Sequence, residues 1–181
     1  MMALIIEDGT QVLNADSYIT VADAEAVASS YGLTFAGDTE TSLKAAYKWL
    51  NTQESQLQGK RLSDIDTATV QTGINPRKPV YIRGNLIDEN SIPVELIEAQ
   101  VLAAYANESS SILLPTIGNT TGSIKKEELE GVGSQEFFEG SALDSNETNS
   151  ALQLAIATLE PLTIRALGGV FGGRSVVKGY S

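Results

Sequence analysis

Ile92-Pro93-Val94-Glu95-Leu96-Ile97-Glu98-Ala99-Gln100-Val101-Leu102-Ala103-Ala104-Tyr105 reads as a helix from its first residues. Proline fits the first turn, where its missing N–H is not needed, and Glu95 lies near the positive end of the helix dipole, with Ser91 as candidate cap. Val94, Ile97, Val101, Ala104 and Tyr105 then recur at helical spacing and predict one buried stripe that ends near Asn107. A helix so apolar needs other helices to cover it.

Working back toward the N-terminus, Leu43, Ala46, Tyr47, Leu50 and Leu57 mark the face of another helix, which Gly59 is expected to end. Trp49, the only tryptophan, lies beside that face. Upstream, Thr20 stands three residues before Asp23 in a capping spacing, and Val21, Ala24, Ala28 and Tyr31 predict a helix over about 21–31 that stops at Gly32. The opening Leu4–Glu7 and Thr10–Leu13 flank Asp8-Gly9, a two-residue turn signal for a hairpin. Between Gly59 and Ile92 the glycines and prolines exclude a long helix, while Val80–Arg83 and Leu86-Ile87 around Gly84-Asn85 suggest a second small hairpin.

Toward the C-terminus, residues 108–150 interrupt every period with serine, glycine and threonine clusters. Within them, Ser123–Glu130 and Ser134–Glu139 around Gly131-Val132-Gly133 predict a protruding, mostly polar hairpin arm at about 123–139. Leu152, Ala155, Ile156 and Leu159 form a last helix that Pro161 interrupts. Residues 168–181 place four glycines among their first six and read as an extended tail. The expected fold is mainly α: a small bundle of three or four helices with protruding β-hairpins and an extended C-terminal tail. The bundle takes residues 1–167 and the tail 168–181.

Composition excludes whole chemistries. There are 181 residues with neither His nor Cys, so no triad built on His, no Cys/His zinc site and no disulfide can exist. The net charge is −11, from 12 Lys+Arg against 23 Asp+Glu, which argues against holding nucleic acid on a broadly basic face. No basic leader opens the chain, and no apolar run approaches the ~20 residues of a membrane span, so a soluble protein made in a cytoplasm is expected. No cofactor, metal or membrane partner is expected, and no enzymatic activity.

Individual motifs point the same way. Gly168 to Ser175 is one residue from a phosphate-binding loop, with Arg174 where Lys should be, but a proline-interrupted helix precedes it instead of a buried strand. Asp64-Ile65-Asp66 and Asp88-Glu89 are the tightest carboxylate pairs, and neither has the run of a calcium loop; solvated turns explain them. Lys125-Lys126 before Glu127-Glu128 cancels its own charge. Phe137, Phe138, Phe171 and Tyr180 lie in the arm and tail, where they either fold back on the body or anchor neighbouring chains.

Ala3–Thr10 with Ala15–Ala24, Lys44–Leu50 with Gln58–Arg61, Ile92–Gln100, the Lys125-Lys126 strand and Leu159-Glu160-Pro161-Leu162 together resemble, in the same order, the head-tail adaptor proteins of tailed bacteriophages. Those are often labelled DnaT-like single-stranded DNA-binding proteins. The resemblance implies a structural subunit of the virion neck, made in the host cytoplasm and assembled in a ring, typically of twelve copies. Such a ring docks beneath the portal protein, meets a tail or neck completion protein, and passes genomic double-stranded DNA without binding it specifically. Its tail would contact the portal or a neighbouring copy through Val170, Phe171, Arg174 and Tyr180. The Trp-Pro-Arg frequent in the central loop of such proteins is here Asn75-Pro76-Arg77. The second reading is the label itself, a DnaT-like single-stranded DNA-binding accessory protein. That function wants a basic groove with stacking aromatics, which net charge and a single tryptophan do not suggest.

Overall fold

A computed structural model describes residues 3–66, 70–110, 125–128, 134–137 and 150–164. In chain order the elements are α1 (Val21–Ser30), α2 (Thr39–Thr52), a 3-10 turn (Glu54–Gln56), β1 (Lys60–Arg61), α3 (Leu62–Ile65), β2 (Arg77–Lys78), β3 (Tyr81–Ile82) and β4 (Asn85–Leu86). Then follow α4 (Val94–Ser110), β5 (Lys125–Glu128), β6 (Ser134–Phe137), α5 (Ser150–Leu159) and a 3-10 turn (Glu160–Leu162). The fold is mainly α with antiparallel two-stranded ladders, as expected.

The 92–105 stretch is the axis. Leu96, Ala99, Val101, Leu102, Ala103, Ala104 and Ala106 of α4 are all inaccessible to solvent, and α1, α2 and α5 pack around them. Close approach is possible because the neighbours also offer alanine: Ala24 and Ala28 from α1, Ala46 from α2, Ala155 from α5. Each wholly buried leucine, such as Leu43, Leu50, Leu96 and Leu102, contributes about 1.5–3 kcal/mol. Burial on nearly every side replaces the single stripe expected for α4, and it leaves Val94 outside at 63 % exposed. Ser91 does not cap this helix, since its Oγ donates to the Asp88 carbonyl and the Pro93 carbonyl takes the first helical N–H groups.

α1 starts where predicted, with the Thr20 hydroxyl accepting from Asp23 N, and Gly32 follows at φ 71°. α2 ends at Thr52, before the expected Gly59; a 3-10 turn intervenes, and Leu57 reaches the core from an extended residue that bridges Thr163. The last helix ends at Leu159 ahead of Pro161 as expected, but Ile156 is 55 % exposed and does not join its buried face.

The N-terminal hairpin does not form. Glu7 is buried, and its carboxylate accepts the N–H groups of Gly9, Gln11 and Val12, so residues 9–12 curl around it instead of running back as a strand. Residues 5–7 lie instead beside 16–17, with Ile6 bridging Ser17 in parallel. The second hairpin exists with its turn one residue earlier than predicted. Ile82 pairs with Asn85, so Arg83 and Gly84 are the turn, at φ 52° and 82°, the primed geometry that fits strand twist. The arm is an antiparallel pair running from Lys125 opposite Phe137 to Glu128 opposite Ser134.

Candidate nucleic-acid interface

Charge is unevenly distributed along this acidic chain. Residues 60–83 carry five basic side chains (Lys60, Arg61, Arg77, Lys78, Arg83) against Asp64 and Asp66, a local excess of +3. The β1–β2 ladder brings four of the five together: Lys60 stands opposite Lys78 and Arg61 opposite Arg77. Directly opposed residues share a face and successive residues alternate. The ladder therefore sorts its cations, with the lysines outward and the arginines toward the body.

The inward pair is neutralised. Glu54, from the turn after α2, pairs with the Arg61 guanidinium through both carboxylate oxygens and lies 3.3 Å from Arg77 Nη1. The hydrogen bond from Arg61 holds the Glu54 carboxyl below the usual carboxylate range, and Arg77 adds to the effect. Arg77 is buried, which lowers its pKa, yet its remaining N–H groups reach the carbonyls of Gln58, Ile74 and Gly59 at 2.8–3.1 Å. A buried guanidinium so satisfied acts as a brace beneath the ladder.

Gln58 supports the same ladder from the other side. Its amide nitrogen lies 3.0–3.2 Å from the carbonyls of Tyr81, Pro161 and Thr163, and its oxygen accepts from Tyr81 N at 2.9 Å. The end of α5, the β3–β4 hairpin and the start of β1 meet on this one side chain. Gly59 next to it has φ 67°, and a Cβ there would stand 2.6 Å from the Pro79 carbonyl, so only glycine allows β1 and β2 this close.

Outward, Lys60 is exposed, and Lys78 meets Glu89 at 3.0 Å. Arg83 sits exposed at the hairpin turn and Tyr81 is half-buried at its base. Two like charges opposed on a strand pair repel each other, which an anion bound between them relieves. The arrangement can hold phosphate groups; it contains no nucleophile with a base beside it. Among the described residues no group of three or more acidic side chains is placed to hold a metal, and no helix is long and apolar enough to cross a membrane.

Of the residues singled out from sequence, Phe137 ends β6 opposite Lys125, while Phe138, Val170, Phe171, Arg174 and Tyr180 lie outside the described residues, as does the glycine-rich 168–175 segment. The first carboxylate pair is not in a turn: Asp64 lies within α3 and Asp66 is its C-cap; in the second, Asp88 accepts from Asn90 N at 2.8 Å in the turn before α4. The Lys60–Lys78 face was missed because charge was summed over the whole chain; a count by segment would have flagged residues 60–83. Their register was not accessible to any count.

A family model matches residues 2–177, nearly the full length of the chain. The chain belongs to that family, whose description reads "Putative DnaT-like ssDNA binding protein". No curated protein and no solved structure matches the chain. This family assignment overturns the expectation of a head-tail adaptor with portal and tail partners and favours the second reading, single-stranded DNA binding. The net charge of −11 does not by itself decide against that reading. Net charge governs long-range repulsion, whereas phosphate contacts depend on cations within a Debye length, about 10 Å at 0.1 M salt.

Proposed function

We propose that this chain is a non-enzymatic accessory protein that binds single-stranded DNA by its phosphates across the β1–β2 face, with Lys60, Lys78 and Arg83 as the contacts. The family match over residues 2–177 carries the reading. The outward lysine pair in a locally basic segment supports it. Because the rest of the chain is acidic, binding is modest in strength and strongly dependent on salt.

Fluorescence anisotropy of the full chain with a short labelled single strand tests this. Three phosphate contacts on a single strand predict that log K falls with log salt at a slope of about −2. Changing Lys60 and Lys78 together to Gln reduces the slope to about −0.7, and the strand is recovered at unchanged length. No association at ~50 mM salt, where phosphate binding is strong, refutes the proposal.

A further inference from the structure

Beside Lys78, between α3 and the β3–β4 hairpin, runs a groove of about 700 Å³ whose walls include Ile65, Leu86, Asp88, Glu89 and Asn90. Ile65 is 47 % and Leu86 62 % exposed, so both offer apolar surface to the groove. We propose that this groove seats one unstacked nucleobase bearing an exocyclic amine, while the adjoining phosphate rests on Lys60 and Lys78. This rests on the single-strand reading above and deepens it.

Charge fixes the orientation. Asp88 and Glu89 repel phosphate from the groove, whereas the lysines attract it at the rim, so only the neutral base can point inward. The flat faces of a base bury against Ile65 and Leu86, and the carboxylate of Asp88 accepts from an exocyclic amine, as acidic side chains do from cytosine N4. Lys78 is shared, since it lines the groove and opposes Lys60 on the ladder. Its contact with Glu89 is an exposed ion pair, cheap to open, and phosphate taking Lys78 releases Glu89 to accept as well. The volume suits a nucleotide, within the ordinary range of small-molecule sites. A comparable groove of about 640 Å³ beside α5 has Glu160 as its one charged lining residue and no cation to hold a phosphate.

The experiment compares oligo-deoxycytidine, oligo-deoxythymidine and an abasic deoxyribose-phosphate strand of equal length, with the full chain at low salt. The cytidine strand is expected to bind about tenfold more tightly than the abasic one, about fivefold from burying roughly 40 Å² of apolar surface and about twofold from the hydrogen bond of the amine. Thymidine should fall between, lacking the amine. Leu86→Ser should narrow the gap between the cytidine and abasic strands with the salt slope unchanged, and Asp88→Ala combined with Glu89→Ala should level the cytidine and thymidine strands, with the circular dichroism of both variants unchanged. Equal affinity of the wild-type chain for cytidine and abasic strands overturns the base site while leaving phosphate binding intact. Failure of every strand to bind overturns both.

Discussion

Lys60 faces Lys78 across a two-residue ladder. One residue along, Arg61 and Arg77 turn to the other side and share the carboxylate of Glu54. A single register thus divides four cations into a solvent-facing pair and a structural pair, and each pair should respond differently to mutation.

Glu89 competes with phosphate for Lys78, at 3.0 Å from its ammonium. Glu89→Gln should therefore raise affinity for single-stranded DNA about two- to threefold, the effect of losing one exposed ion pair. Unfolding free energy should stay within about 0.5 kcal/mol of the wild type, because the site is on the surface. Titration by anisotropy and urea unfolding measure the two; weaker binding by the variant would show that Glu89 does not oppose phosphate.

Glu54 is the sole carboxylate that contacts both Arg61 and Arg77 among the described ion pairs. Its folded pKa lies below the unfolded value of 4.5, chiefly through the Arg61 hydrogen bond. The stability it contributes is present above that value and is lost as pH falls through the depressed folded one. Glu54→Gln should cost about 1–2 kcal/mol at neutral pH, less than breaking a fully buried pair because Glu54 is partly exposed. The wild type and the variant should converge as pH falls below 4.5 and through the depressed folded pKa, read by urea unfolding at a series of pH values.

Glu7 has the opposite sign. Desolvation raises its carboxyl above the usual glutamate value of 4.5 despite three backbone hydrogen bonds. Its protonated form is favoured by folding, so the stability it contributes is complete below the unfolded pKa and is lost as pH rises through the folded one. Glu7→Gln removes that dependence and forfeits the bond from Val12 N, since the amide oxygen can serve only the other two, at a cost of about 1 kcal/mol. The variant should be the less stable near pH 4, with a gap that narrows toward pH 7; a gap that widens would contradict the assignment.

Gln58 ties three elements together through its side chain. Gln58→Leu keeps the volume but leaves buried backbone groups of Tyr81, Pro161 and Thr163 without their partner, at a cost of about 3 kcal/mol. The ladder that carries Lys60 should loosen before the helices do. Faster hydrogen exchange at residues 60–61 and 77–82, with α4 still protected, is the expected pattern.

The helices were legible in the sequence because what makes them is local. Thr20 and Asp23, Pro93 and the alanine-rich run after it, and Pro161 act within one or two turns of where they stand, so periodicity and caps located α1, α2, α4 and α5 to within a few residues, the C-terminus of α2 excepted. The β3–β4 hairpin was legible for the same reason, and its turn lies one residue earlier because Ile82 pairs with Asn85, which puts Arg83 in the left-handed region at φ 52°. At the N-terminus, by contrast, the Asp8-Gly9 signal lost to Glu7, a side chain whose burial depends on the packed body around it.

The candidate interface belongs wholly to tertiary structure. Composition determined that this chain carries no His or Cys chemistry and a net charge of −11; periodicity determined that it is helical. Which four cations meet, and which two of them face water, follows from the pairing of residues 60–61 with 77–78, set by Glu54, Gln58, the Arg77 brace and the close approach at Gly59. Those contacts join residues far apart along the chain, and shifting a strand by one residue exchanges its faces. Sequence therefore supplied the charges, and packing chose where they point.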